Sequence, residues 1–155
     1  MNEPWAGDVF EDPHRLLPGV TEKNYLQPLY EYLHTAIRRE DTNKIIFFEG
    51  LTIDYWPNAF TFGTPGGEEY NNRQALAYHI YCPIQDPSVP KEAACNLIDD
   101  VFFKLRNKDA ARIGGGMIMT EFGASENIKG DIYALEHTIQ LTDSHQQSWM
   151  YWQFK

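Results

Sequence analysis

Gly114-Gly115-Gly116-Met117-Ile118-Met119-Thr120-Glu121-Phe122-Gly123 runs from three glycines through an unbroken apolar segment to one carboxylate and a residue suited to a turn. An apolar run without polar alternation is the pattern of a strand covered on both faces, which belongs to parallel sheets with helices packed outside. Glu121 then falls at the C-terminal end of that strand, where barrel enzymes keep their catalytic groups. The same position also suits a strand-end ion pair or a helix-capping carboxylate, and the segment alone does not choose between them. The glycines are not followed by the Lys-Ser/Thr of a phosphate loop and simply lead into the strand.

Three further β-prone runs flank this one: Ile45-Ile46-Phe47-Phe48, Ala77 to Tyr81, and Ser148 to Phe154. Between them lie amphipathic segments. The first carries Leu26, Leu29, Tyr30, Leu33, Ala36 and Ile37 on one stripe, with Pro28 limiting where a helix begins. The second is opened by Pro90 and runs from about Lys91 to Arg106, striped by Ala94, Leu97, Ile98, Val101, Phe102 and Leu105. The third runs from Asp131 as N-cap through Ile132, Leu135 and Ile139 to about Leu141. Thr52 to Asn72 breaks this rhythm with Tyr55, Trp56, Pro57, Phe60 and Phe62 and reads as a long aromatic loop.

Strands alternating with helices predict α/β architecture, with no internal repeat and no linker dividing the chain. A closed eight-stranded barrel takes roughly 250 residues. A chain of 155 residues with about four strands and three helices is therefore expected to form half of such a barrel, with an independent small α/β sandwich as the alternative.

Composition narrows the function. With 43% apolar and 23% charged residues the chain reads as globular, and no apolar run approaches membrane-spanning length. The N-terminal Met-Asn-Glu-Pro-Trp carries no signal segment. Thirteen basic against 22 acidic residues give a net charge of −9, which opposes binding to a phosphate backbone and excludes nucleic acid as the expected partner. Cys82 and Cys95 either close a small loop or stay as two buried thiols, and their spacing leaves both open.

Several side chains are candidates for chemistry. In Asn2-Glu3-Pro4-Trp5 the proline holds the preceding carboxylate in an extended or turn conformation, although a disordered terminal tail is the alternative. His79 and Tyr81 are two apart in a strand, so both leave the same face. A hydrogen-bonded structural histidine remains the other reading. Trp5, Trp56, Trp149 and Trp152 offer flat rings suited to sugar faces or to core packing. The five histidines show no close pair at metal-ligand spacing, and a serine triad lacks its Gly-x-Ser-x-Gly elbow. No cofactor or metal is expected.

Asn-Glu-Pro, then His-x-Tyr, then Thr-Glu-Phe-Gly, then a Trp-rich last strand resemble, in order and spacing, family 5 glycoside hydrolases of the cellulase type. Within that family Asn2 to Asp8, Tyr78 to Cys82 and Ser148 to Gln153 look most like endoglycoceramidases and their glucosylceramidase relatives, and the likeness extends over essentially the whole chain. The resemblance implies the C-terminal half of a (β/α)8 TIM barrel over residues 1–155, from the end of strand four to strand eight. The N-terminal half, with the family's arginine and another substrate-binding histidine, and any C-terminal β-sandwich are expected to be absent.

Carried over motif by motif, the resemblance makes Glu3 the acid/base, Asn2 a ligand of the sugar 2-hydroxyl and Glu121 the nucleophile. His79 and Tyr81 become the pair that positions the carboxylates, and Trp152 the platform under the reacting sugar. The expected reaction is retaining hydrolysis of the sugar–ceramide bond of glycosphingolipids, with the isolated chain itself catalytically poor and an apolar edge exposed. Glucosylceramide or a soluble β-glucan is the alternative substrate, and a truncated non-catalytic sugar-binding relic the alternative of another class. The Tyr55 to Phe62 loop is the candidate for contact with the ceramide chains, and membrane-surface contact is a separate expectation for the protein. A lipid-headgroup substrate and a pI of 4.9 suggest a secreted or lysosomal protein, although no Asn-x-Ser/Thr sequon is present. The oligomeric state is left open.

Overall fold

The computed structural model describes residues 2–51, 60, 63–82, 84, 91–124 and 129–153. Among these residues the α-helices and strands follow in the order α1 Gln27–Glu40, β1 Ile46–Glu49, β2 Gln74–Ile80, α2 Lys91–Ile113, β3 Gly116–Phe122 and α3 Lys129–Ser144. The strands form one sheet in the order β1-β2-β3. The chain divides into two compact units, Met1–Ala77 with Leu105–Met117, and Tyr78–Lys104 with Ile118–Lys155.

In the first unit a 3-10 turn at Pro13–Leu16 and a π-helical turn at Glu22–Leu26 lead into α1. β1 pairs in parallel with the first half of β2, from Ile46 opposite Gln74 to Glu49 opposite Ala77. Leu26, Tyr30, Phe48, Phe60, Leu76 and Ile113 make the core. The Phe60 ring lies 5.1 Å from Phe48 and 5.8 Å from Tyr30, both in tilted or edge-on contact. At 1% exposure Phe60 cannot meet lipid, so the expected lipid-facing role fails at this residue. Tyr55, Trp56 and Phe62 lie outside the described residues.

The buried face of α1 is rotated from the apolar stripe. Gln27, Tyr30, His34 and Arg38 are buried, whereas Leu33 and Ile37 are exposed. Buried polar groups are tolerated only when paired. Arg38 meets that condition by donating to His34 Nε2 at 3.1 Å, to the Lys44 carbonyl at 2.7 Å and to the Arg73 carbonyl at 2.8 Å. Gln74, the first residue of β2, is likewise buried because its amide donates to Thr64 Oγ1 and its oxygen accepts the Gly66 N–H.

α2 continues past Arg106 through a run of helix formers to Ile113 and stops at Gly114, whose φ of +82° and bond to the Ala110 carbonyl form a left-handed cap. Here too the stripe shifts: Leu97 and Val101 are exposed, while Cys95, Asp99, Phe103 and Arg106 are buried. α3 begins at Lys129, so Asp131 lies inside the helix and is not its N-cap. The last segment is not the continuous strand expected over Ser148 to Phe154. Two isolated parallel bridges, Met119 with Trp149 and Gly123 with Trp152, tie it to β3. No helix among the described residues is long and apolar enough to cross a membrane.

In the second unit Asp99 packs against α3, where Thr138 Oγ1 lies 2.5 Å from its carboxyl. Burial pushes the Asp99 carboxyl up from an ordinary 3.8 to about 6, assisted by the Asp100 charge and opposed by the Thr138 bond and the His137 charge. A raised carboxyl value means that the folded chain binds the proton more tightly than the unfolded chain. Stability from this site is therefore greatest below about pH 4 and falls as pH rises towards 6, by up to roughly 3 kcal/mol. Asp99→Asn should flatten this part of a urea-unfolding pH series. An unchanged slope would remove Asp99 as its cause.

Candidate active site

Two groups of side chains, one in each unit, contain the residues singled out from sequence. In the first, Glu3 is exposed, and its backbone takes a left-handed φ of +46° that non-glycine residues rarely adopt. Its N–H donates to Glu49 Oε2 at 2.9 Å, so it does not lie in a disordered tail. Pro4 and Ala6 are buried behind it, and Asn2 and Trp5 are exposed beside it. Glu49 ends β1, itself buried, and its carbonyl accepts the Tyr30 hydroxyl at 3.1 Å.

The second group is built on the C-terminal ends of β2 and β3. His79 lies in β2 and Tyr81 just past it, and the two-residue alternation directs both to one face. The Tyr81 hydroxyl donates to Glu121 Oε2 at 2.9 Å, and His79 Nδ1 lies 3.5 Å from the same oxygen. The His79 and Glu121 side chains are 7% and 15% exposed, so the carboxylate is sheltered without being sealed. Hydrogen bonds to a carboxylate are stronger than neutral ones, and two neighbours on one oxygen fix the group's orientation.

Trp152 presents a half-exposed indole next to this strand end. Its backbone is locked there, since Trp152 N–H donates to the Phe122 carbonyl at 2.8 Å and Ala124 N–H donates to the Trp152 carbonyl at 3.0 Å. The Trp152–Gln153 peptide is cis. Trp149 packs edge-on against Phe122 at 5.3 Å and bonds Asp143 through its indole nitrogen. Phe122 also meets Tyr151. Trp149 is thus part packing residue and part surface, and Trp56 lies outside the described residues.

Cys82, directly after Tyr81, forms a disulfide with the buried Cys95 of α2, with Cα atoms 5.2 Å apart. The bridged reading of the two cysteines is the one observed. It ties the segment carrying Tyr81 to a helix and restricts the unfolded chain. Cys82→Ser with Cys95→Ser should cost about 2–4 kcal/mol, read as a lower thermal midpoint that reductant no longer shifts.

A sheltered, oriented carboxylate beside an exposed indole is suited to attack on an electrophilic carbon in a flat-faced substrate such as a sugar ring. Sequence reasoning missed Glu49. The signal was the one used for Glu121, a carboxylate at the end of a buried apolar strand.

The family model described as cellulase (glycosyl hydrolase family 5) matches residues 1–155. Endoglycoceramidases of Cyanea nozakii and Hydra vulgaris are each 37% identical to the chain over its whole length. The chain spans 28% and 27% of those two proteins. Among solved structures, endo-glycoceramidase II from Rhodococcus sp., captured as a lactosyl-enzyme intermediate, superposes with a TM-score of 0.73 over 98% of this chain and 33% of its own, at 18% identity. That likeness shows the fold, a fragment of a TIM barrel.

Proposed function

This chain belongs to glycosyl hydrolase family 5, and on that premise we propose that it carries the catalytic carboxylates of a retaining β-glycosidase acting on glycosphingolipids. Glu121 is the nucleophile that attacks the anomeric carbon, and Glu3 is the acid that protonates the departing oxygen. Once deprotonated, Glu3 activates the water that hydrolyses the glycosyl ester. Asn2 binds the sugar 2-hydroxyl, His79 and Tyr81 position the carboxylates, and Trp152 stacks under the sugar.

One observation carries the reading: Glu121 Oε2 is held by the Tyr81 hydroxyl and faced by His79, as an oriented nucleophile requires. The lactosyl-enzyme intermediate of the Rhodococcus protein supports the double displacement, and the two endoglycoceramidase relatives support a glycosphingolipid substrate. Membrane-surface contact belongs to the same reading. Trp5 and Phe10, both exposed and close in sequence to Glu3, support it. The disulfide supports secretion or a lysosomal location, since such bridges persist in oxidising compartments.

The test is to incubate the full-length protein with a 2-deoxy-2-fluoro-lactosyl fluoride and map the adduct by mass spectrometry. Labelling of the peptide containing Glu121 is the expected result. Turnover of substrate with the label on another residue would sink the assignment, and absence of both turnover and label would favour a sugar-binding relic. Comparing a fluorescent glycolipid with a soluble β-glucan then decides the substrate, and preference for the glucan would overturn the lipid arm.

A further inference from the structure

We propose that Glu49 is a positioning residue for Glu3, holding the acid/base through its backbone; the inference rests on the reading of Glu3 given above. Glu3 occupies a left-handed conformation that costs a non-glycine residue on the order of 1 kcal/mol or more and persists only where the surroundings impose it. Pro4 does not supply this constraint, since a following proline favours extended backbone at Glu3. A bond from outside does contribute to it: the Glu3 N–H is bound at 2.9 Å by the Glu49 carboxylate, from 46 residues away.

Glu49 is suited to this task because it is itself immobile. It is 6% exposed, it ends a strand paired to β2, and its carbonyl accepts the hydroxyl of core residue Tyr30. Two residues on, the Leu51 N–H donates at 2.9 Å to Glu22, another buried carboxylate. The end of β1 is therefore clamped on both sides of the residue that reaches Glu3. An ion-paired surface glutamate would impose no such geometry, because its own rotamer would be free. Displacing a catalytic group by about 1 Å through a remote residue can cost on the order of 10²-fold in rate.

The proposal makes reach, not charge, the property that matters, and two variants of the full-length protein separate them. Glu49→Gln keeps the length and an acceptor oxygen, whereas Glu49→Asp keeps the charge but draws the acceptor back by about 1.5 Å. Each is assayed on a dinitrophenyl β-lactoside, whose leaving group needs no proton, and on an alkyl β-lactoside, whose leaving group does. Glu49→Asp should lower kcat/KM, which reports the glycosylation step alone, on the alkyl substrate roughly 10- to 100-fold with a change of only a few-fold on the dinitrophenyl one, and Glu49→Gln should stay near wild type on both. Equal losses on both substrates mean a structural role, and a damaged Gln variant beside an intact Asp variant means a role for charge. Either would overturn the proposal.

Glu3→Gln is run beside them. If it shows no dependence on the leaving group, Glu3 is not the acid and both readings fall. If it shows the dependence and Glu49→Asp does not, only the positioning role falls.

Discussion

Glu121→Gln should lower turnover of a β-glycoside by on the order of 10⁴-fold or more, because the carboxamide cannot form the glycosyl ester on which a double displacement depends. The substitution is nearly isosteric, and the glutamine oxygen can still accept the Tyr81 hydroxyl bond that now reaches Glu121 Oε2 at 2.9 Å. Stability should therefore move by less than about 1 kcal/mol. The loss of rate can then be read apart from any loss of fold by following kcat and the thermal midpoint on one preparation. A folded variant that keeps a tenth of wild-type turnover would exclude Glu121 as the nucleophile.

Gly123→Ala, two residues further on, should have the largest effect on the fold. The glycine sits at φ +123°, and a Cβ there would lie 2.5 Å from the Trp152 carbonyl oxygen and 2.6 Å from the Tyr151 ring. The backbone oxygen has no rotamer by which to escape, so the last segment would have to leave β3. The conformational penalty and the overlap together should cost about 3–5 kcal/mol in urea unfolding. Gly63 gives the control. Its φ is +91° and no atom of the described residues lies within 4 Å of the added carbon, so Gly63→Ala carries chiefly the conformational part and should cost only about 1 kcal/mol. Equal costs at the two sites would show that the Trp152 contact yields readily.

The strands were the legible part of the fold. The near-continuous apolar runs mark where β1, β2 and β3 lie, but the burial on both faces expected of them holds only for β2: Phe47 in β1 is 49% exposed, and Met117, Ile118 and Thr120 in β3 are only partly buried. The His79 and Tyr81 pair was legible for a related reason, since a period of two needs no knowledge of partners. The helix faces were not. Periodicity counts apolar residues, but His34, Arg38, Asp99 and Arg106 are buried, and for Arg38 and Asp99 the partners that make this tolerable lie on distant segments, at the Arg73 carbonyl and at Thr138. The same holds for Glu22 and Glu49, whose partners include backbone N–H groups far along the chain, at Leu51 and Glu3. The final segment failed differently. Its aromatic richness reads as strand, yet among the described residues the pairing amounts to two separate bridges, with backbone bonds at Ser148, Met150 and Trp152.

The bond from the Tyr81 hydroxyl to one oxygen of Glu121 also breaks a symmetry. In water the two ends of a carboxylate interchange freely by rotation about the bond that carries them. Here that swap must first break a charge-assisted contact worth about 1.5–3 kcal/mol, so Oε1 and Oε2 are no longer equivalent. The glycosyl ester proposed for Glu121 would then join the anomeric carbon to Oε1, leaving Oε2 as the ester carbonyl against a phenol already in place.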